Sequence, residues 1–85
     1  MVLKMARPLA DRLLHLLHNL AAVNPDNAKP VSELAKLAQE PADQVQFHLR
    51  AEEAAGNVRS VSDDKNEQRY YLTGLGILKA VSMLT

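Results

Sequence analysis

The chain has 85 residues, including ten acidic and ten basic side chains that give a formal net charge of zero at pH 7, and it contains no cysteine. This length leaves room for one small domain, and a neutral chain has no global positive field that would attract nucleic acid. The absence of cysteine excludes disulfides and zinc–thiolate sites and fits a reducing compartment.

The first predicted helix spans residues 8–22, PLADRLLHLLHNLAA. Pro8 suits the first turn of a helix, where its missing N–H leaves no hydrogen bond unmade. Apolar residues recur in two neighbouring seams, which together are wider than a helix needs for contact with one neighbour. The seams consist of Leu9, Leu13, Leu16 and Leu20 and of Ala10, Leu14, Leu17 and Ala21. The next segment, NPDNAKP, is predicted to be a loop because of its Pro, Asn and Asp content.

Two more helices are predicted between about residues 32 and 56. Ser32 is a good N-cap for the short helix ELAKLAQ, and the segment EPAD ends that helix before a third one runs to about Ala55. Gly56 follows at the position where helices often end in a left-handed residue. The predicted inward-facing residues are Leu34, Leu37 and Ala38 in the second helix, and Val45, His48 or Leu49, and Ala55 in the third.

A β-hairpin is predicted at about residues 57–72. The segments NVRSV and RYYLT are rich in Val and Tyr, as strands are, and they flank the polar tip SDDKNEQ. Thr73 can cap a last helix over residues 74–84, which is apolar on more than one face. The predicted fold class is therefore α+β and mostly α, with three helices, a two-stranded hairpin and a C-terminal helix in a single domain, residues 1–85.

The segment SELAKLAQEPADQVQFHLRAEEAAGNVRSV, followed by RYYLTGLG, resembles the winged helix-turn-helix transcriptional regulators of the ArsR, MarR and PadR type. The resemblance covers residues 31–77. The matching positions are Ser32, Leu34, Ala35, Val45, His48, Leu49, Gly56, Val58, Tyr71, Leu72, Thr73 and Gly76. The resemblance implies a winged helix-turn-helix fold, in which the hairpin is the wing, and a regulator of transcription that binds DNA.

Three departures from the pattern of those regulators stand out. Gln39 and Glu40 occupy the turn, where Gly and then Leu are usual, and Asn57 replaces an apolar residue. Glu52 stands where a core Leu is expected in the third helix. Because an unpaired buried carboxylate is costly, we expect either that the helix is rotated slightly or that Glu52 has a basic partner. The candidates are Arg59 and Lys36.

The third helix is acidic, which argues against strong binding to phosphates. Between residues 40 and 56, Arg50 stands against Glu40, Asp43, Glu52 and Glu53. The candidate base-reading residues are Gln44, Gln46, Phe47 and Arg50, whose side chains suit adenine, a thymine methyl group and guanine. The candidates for phosphate or minor-groove contacts are Arg59, Lys65 and Arg69. We expect weak, salt-sensitive binding to double-stranded DNA. Two alternatives stay open for Phe47: the centre of a protein-binding surface, or a packing contact with the wing.

The terminal helices, residues 8–22 and 74–84, carry more apolar surface than a small core can bury. In the resembling regulators, the terminal helices form the dimer interface. We therefore expect a homodimer. The predicted interface residues are Leu13, Leu17, Leu75, Leu78, Val81 and Leu84.

Other classes of function have weaker patterns. Asp11, His15 and His18 share a helical face at a spacing that metal ligands use, but the solvated face of an amphipathic helix explains the same pattern and is the interpretation we favour. The segment TGLG lacks the remaining glycine of a dinucleotide site. We expect no enzyme, cofactor or metal site. The sequence has no signal-peptide pattern and no membrane-spanning segment, so we expect a cytoplasmic protein without a membrane partner.

Overall fold

A computed structural model describes residues 7–83. The α-helices are α1 (Leu9–Asn19), α2 (Val31–Ala38), α3 (Ala42–Ala54) and α4 (Gly74–Ser82). The strands are β1 (Lys29–Pro30), β2 (Val58–Ser62) and β3 (Gln68–Leu72), and a short 3-10 helix, Pro25–Asn27, precedes β1. This order confirms the predicted α+β, mostly helical class. None of the helices within the described range is long and apolar enough to cross a membrane.

Helix α1 lies at the centre of the core. It packs against α2, α3, α4 and β3, and Leu13, Leu14 and Leu17 have no exposed surface. Leu13 and Leu17 therefore do not belong to an exposed apolar patch, contrary to the prediction, because other elements of the same chain cover α1 on several sides. The helix ends at Asn19, before the predicted end, and Ala21 has a left-handed backbone with φ of 57°.

Helix α2 begins one residue before the predicted N-cap. Pro30 occupies the N-cap position and Val31 is the first helical residue, so Ser32 lies inside the helix, contrary to the prediction. The Ser32 hydroxyl instead donates a hydrogen bond to Glu67 Oε2 at 3.2 Å. This contact joins the first turn of α2 to the loop that precedes β3.

The inward faces of α2 and α3 are confirmed at most predicted positions. The buried residues are Leu34, Ala38, Val45 and Leu49. Leu37 is 49% exposed and Ala55 is also exposed, so both predictions of inward-facing side chains are wrong. The side of α2 that faces the core carries Leu34 and Ala38. Leu37 lies about 100° from Ala38 around the helix axis, so its side chain is turned away from the core.

The turn between α2 and α3 is held by a residue of α1. Arg12 Nη2 donates to the backbone oxygen of Ala38 at 2.7 Å, and Arg12 Nη1 lies 2.9 Å from Glu40 Oε2. Gln39 between them is left-handed, with φ of 57°, a conformation that usually favours glycine. The Arg12 contacts satisfy a carbonyl at the end of α2 and explain why Glu40 is tolerated in the turn.

The sheet is antiparallel with strand order β1–β3–β2. The two predicted strands are confirmed, and β1 is an addition to the predicted two-stranded hairpin. It pairs Lys29 with Tyr70 and Pro30 with Arg69. Pro30 is tolerated because β1 lies at the edge of the sheet, where one side of the strand needs no donor.

Glu52 is largely buried and has partners other than the predicted ones. Its Oε1 accepts a hydrogen bond from Asn57 Nδ2 at 2.8 Å and lies 4.0 Å from Lys79 Nζ. Arg59 and Lys36 are therefore not its partners. Glu52 and Asn57 are two of the three departures from the regulator pattern. They form one hydrogen-bonded pair, so the presence of each accounts for the presence of the other.

The start of α4 is fixed against the end of α3. Thr73 caps α4 as predicted, because its Oγ1 accepts from Gly76 N at 3.1 Å and donates to the Gly56 carbonyl oxygen at 2.6 Å. Gly56 is left-handed, with φ of 87°, as predicted. A Cβ at Gly76 would overlap the carbonyl oxygen of Asn57. Only glycine permits this close approach of α4.

Candidate nucleic-acid interface

The outer face of α3 is the candidate surface for base reading. Val45 and Leu49 point into the core, which turns the opposite side of the helix to solvent. The exposed residues along the centre of that side are Asp43, Phe47, Ala51 and Ala54. Phe47 is 65% exposed. The centre of the surface thus combines an acid, an aromatic ring and two small residues.

Gln44 and Arg50 border this surface on opposite sides of Phe47. Each is exposed and lies three residues from Phe47, one before it and one after it, which places them on either flank of the ring. Gln44 and Arg50 keep base-reading chemistry at the outer face, and Arg50 also approaches the hydroxyl of Tyr70 on β3.

Phe47 is an exposed residue and not a packing residue of the wing. Its ring meets the ring of His48 edge to face, with the centroids 5.3 Å apart, and most of its surface is in solvent. The packing alternative for Phe47 is therefore wrong. A thymine methyl contact and a protein contact both remain compatible with this exposure.

Gln46, one of the predicted base readers, faces the wing. Its Nε2 donates to the Tyr70 hydroxyl at 2.9 Å, and the Tyr70 hydroxyl donates to Gln68 Oε1 at 3.3 Å. Gln46 is half-buried, because it follows the core residue Val45 on the side of α3 that faces β3. Its amide is therefore committed to a hydrogen bond within the chain.

Tyr70 lies at the centre of a polar contact between α3 and the wing. The side chain is fully buried. Burial raises the pKa of its hydroxyl, the negative charge of Glu53 raises this pKa further, and Gln46 and Arg50 act in the opposite direction. The hydroxyl therefore stays protonated at neutral pH and can donate and accept at once.

Three residues of α3 face this contact at the spacing i, i+4, i+7, which places them on one side of the helix. The third, Glu53, accepts a hydrogen bond from the Ser60 hydroxyl at 3.0 Å. The polar seam, as we call this contact, consists of Gln46, Arg50 and Glu53 from α3 and Ser60, Gln68 and Tyr70 from the wing.

The three predicted basic residues of the wing divide into two kinds. Arg59 and Lys65 are exposed and can meet phosphates. Arg69 is half-buried, with Nε 2.9 Å from Asp63 Oδ2 and Nη1 3.5 Å from the Ala28 carbonyl oxygen. Arg69 therefore connects β3 to the residue just before β1, and much of its positive charge is offset by Asp63.

The tip of the wing is organised by Asp63. Its Oδ1 accepts hydrogen bonds from the backbone N–H groups of Lys65 at 2.8 Å and Glu67 at 2.9 Å. The Glu67 amide, the Arg69 side chain and the Lys65 amide, in that order, hold the pKa of Asp63 below its usual value. These bonds fix the loop that carries Lys65.

Three of the residues predicted for a dimer interface are exposed on α4. Leu75 is 60% exposed, Leu78 is 68% exposed and Val81 is 44% exposed, at a spacing that places them along one side of the helix. Leu84 lies outside the described residues. The exposed apolar side of α4 therefore consists of Leu75, Leu78 and Val81, without the leucines of α1.

Sequence reasoning missed the wing side of the polar seam. Tyr70 and Leu72 are both buried, and their spacing of two residues in RYYLT is a signal that both point to the core face of a strand. No comparable signal identifies Gln46 as the partner of Tyr70. Among residues 7–83, no three His, Cys, Asp or Glu side chains lie together so that they could hold a metal ion.

No protein-family model and no curated protein sequence matches this chain. Solved structures do match it. MepR, a transcription regulator of the Staphylococcus aureus multidrug efflux pump MepA, has a TM-score of 0.77 and 19% identity over 88% of this chain and 53% of MepR. A MarR-family transcriptional regulator from Silicibacter pomeroyi has a TM-score of 0.71 and 24% identity over 87% of this chain and 49% of its own.

A proposed DNA-binding protein from Ralstonia eutropha JMP134 has a TM-score of 0.74 and 20% identity, and the match covers 94% of this chain and 100% of that one. MepR in complex with DNA also matches, with a TM-score of 0.69 and 22% identity. This chain spans about half the length of MepR. These likenesses confirm the winged helix-turn-helix fold.

Proposed function

We propose that this chain is a DNA-binding transcription regulator that contacts duplex DNA with the outer face of α3 and with the wing. The observation that carries the proposal is the exposed set Gln44, Phe47 and Arg50 on α3, in a fold shared with a MepR structure that contains DNA. In this proposal, Gln44 bonds adenine, Arg50 bonds guanine and Phe47 contacts a thymine methyl group. The matched regulators also favour a regulatory role over an enzymatic one, and we propose that this role is cytoplasmic.

Phosphate contacts fall to Arg59 and Lys65, which are exposed on the wing. Arg69 adds little to these contacts because Asp63 already pairs with it. Asp43 on the outer face of α3 repels phosphates. Few cations therefore face the duplex, and we expect binding that is weak and falls steeply as salt increases.

A homodimer would compensate for the weak binding of one copy. The support is the exposed apolar side of α4, formed by Leu75, Leu78 and Val81, since contiguous exposed apolar side chains can mark a protein interface. Two copies held by a rigid interface can bind two half-sites about one helical turn of DNA apart, and their affinities then reinforce each other.

The test is fluorescence anisotropy with a mixed pool of labelled duplexes over a series of salt concentrations. The wild-type protein should bind, and Arg50→Ala and Arg59→Ala should each abolish binding or weaken it by about ten-fold or more. The Arg59 variant should also lower the slope of log affinity against log salt by about one, because one phosphate contact is lost.

Lys79→Gln is the matched control, since it removes one positive charge from α4 and should leave binding nearly unchanged. Its thermal unfolding is measured alongside, because Lys79 Nζ lies 4.0 Å from the largely buried Glu52. The proposal fails if folded wild-type protein does not bind at low salt. It also fails if Lys79→Gln weakens binding as much as the two arginine variants do.

A protein-binding module is the second candidate function. The observation that favours it is Phe47, 65% exposed beside Asp43 on an acidic helix, since exposed aromatic residues are frequent centres of protein interfaces. In that case, Phe47→Ala should abolish capture of the partner while Arg59→Ala leaves it intact. The opposite pattern, with both arginines essential, favours DNA.

A further inference from the structure

We propose that Gln46 and Tyr70 position the wing relative to α3, so that Gln46 acts through the wing and does not read a base. This inference rests on the proposed DNA-binding function for its effect on affinity, but the geometry that carries it is internal to the chain. The hydrogen bonds run from Gln46 to the Tyr70 hydroxyl and from that hydroxyl to Gln68. They join the middle of α3 to the first residue of β3.

The first step of the argument is the burial of Tyr70. Its ring has no exposed surface, so its place in the core is fixed, while its hydroxyl reaches the boundary between α3 and β3. A buried hydroxyl needs partners. Gln46 donates a hydrogen bond to that hydroxyl, and Gln68 accepts one from it. These two bonds fix the orientation of both side-chain amides.

The second step concerns the rest of the polar seam. Glu53 accepts a hydrogen bond from Ser60 on β2 at 3.0 Å, and Ser60 and Tyr70 are paired across the hairpin. Arg50 stands close enough to Tyr70 to lower the pKa of its hydroxyl. Two strands of the wing are thus tied to one side of α3 through adjacent cross-strand partners.

The third step concerns what the seam controls. Arg59 and Lys65, the exposed cations of the wing, lie on β2 and on the hairpin loop. Their distance from the outer face of α3 depends on the angle between the helix and the hairpin. A duplex can meet α3 and both cations together only over a limited range of this angle. The hydrogen bonds of Gln46 and Tyr70 therefore influence which phosphates the wing reaches.

Tyr70→Phe removes the hydroxyl and keeps the ring, and Gln46→Ala removes its donor. Gln46→Ala should speed hydrogen exchange of the backbone amides in β2 and β3 by about five-fold, the expected effect of one lost hydrogen bond. Tyr70→Phe should speed it at least as much, because it also loses the bond to Gln68. The double variant should exchange no faster than Tyr70→Phe alone, because that change already removes the hydroxyl to which Gln46 donates.

Two matched controls accompany them. Tyr71→Phe removes the hydroxyl of the neighbouring residue in β3, and this hydroxyl makes no hydrogen bond within residues 7–83. Gln44→Ala removes an exposed glutamine from the same helix. Neither should change exchange in the wing. Unchanged exchange in Tyr70→Phe, or additive effects in the double variant, would overturn the inference.

DNA binding provides a second measurement, because a simple loss of stability would not change its salt slope. Both seam variants should weaken binding to all duplexes alike and lower the salt slope by about one to two, as Arg59 and Lys65 lose phosphates. A change of base preference at one position in Gln46→Ala, with normal exchange, would show that Gln46 reads a base and overturn the inference. If wild-type protein binds no DNA, the proposed function fails, and the exchange measurements alone decide on the seam.

Discussion

Helices α1 and α4 have similar apolar content and opposite relations to solvent. In α1, Leu13, Leu14 and Leu17 are fully buried, whereas α4 leaves Leu78 with 68% of its surface exposed. The difference lies in their neighbours, because α1 packs against α2, α3, α4 and β3, while α4 packs against α1 and β3. An apolar seam therefore becomes core or surface according to how many elements surround its helix.

The comparison separates two kinds of leucine that have the same chemistry. A leucine of α1 stabilises the fold of one chain, and a leucine on the exposed side of α4 stabilises it only when something covers that side. Substitutions in α1 should therefore mainly lower the free energy of unfolding. Substitutions on the exposed side of α4 should have a smaller effect on this free energy and should mainly affect association.

The largest effect is expected for Leu17→Ala. It opens a cavity in the core and should lower the free energy of unfolding by about 2–5 kcal/mol. Leu78→Ala, the matched substitution on α4, should change it by less than about 0.5 kcal/mol in dilute, monomeric protein. Urea denaturation of both variants checks this. Equal losses in the two variants would contradict the comparison between the helices.

A smaller but clear loss is expected for Gly76→Ala. The added methyl group would overlap the Asn57 carbonyl oxygen and push α4 away from the end of α3, at a cost of about 1–3 kcal/mol. Gly74→Ala is the control, since a Cβ there meets no atom within 4 Å, and it should be neutral or stabilise by up to about 1 kcal/mol. Thermal unfolding distinguishes the two, and a neutral Gly76→Ala would refute the close approach.

The smallest effect on folding, and the largest on association, is expected for Leu78→Asp. A charge on the exposed side of α4 should convert a dimer into a monomer at tens of micromolar, as measured by sedimentation, because a buried unpaired carboxylate is unfavourable at the interface. Leu37→Asp, at another exposed leucine, should leave the dimer intact. A wild-type protein that is already monomeric at this concentration would refute the proposed dimer.

Local features of the fold were predictable from the sequence. Thr73 as a helix cap and Gly56 as a left-handed residue were both confirmed, because each depends on a few neighbouring residues. Ser32 shows the limit of the same reasoning. It has cap chemistry, but Pro30 takes the N-cap position, since the chain enters α2 directly from β1.

Features that depend on distant residues were not predictable in the same way. Glu52 pairs with Asn57 and approaches Lys79, which lies in another helix. The polar seam joins Gln46 to Tyr70, 24 residues apart in sequence. Periodicity places a side chain on a face of its helix, but the identity of the residue opposite requires the arrangement of all the elements.

The strand order β1–β3–β2 leaves β2 at an edge of the sheet. Open edges invite pairing with other chains and hence aggregation, and short strands with charged residues discourage it. β2 has five residues, and Arg59 is its exposed cation. We therefore expect Arg59, the residue proposed to contact phosphates, also to discourage pairing at this edge. Loss of DNA binding in Arg59→Ala has to be accompanied by light scattering that shows a monodisperse protein.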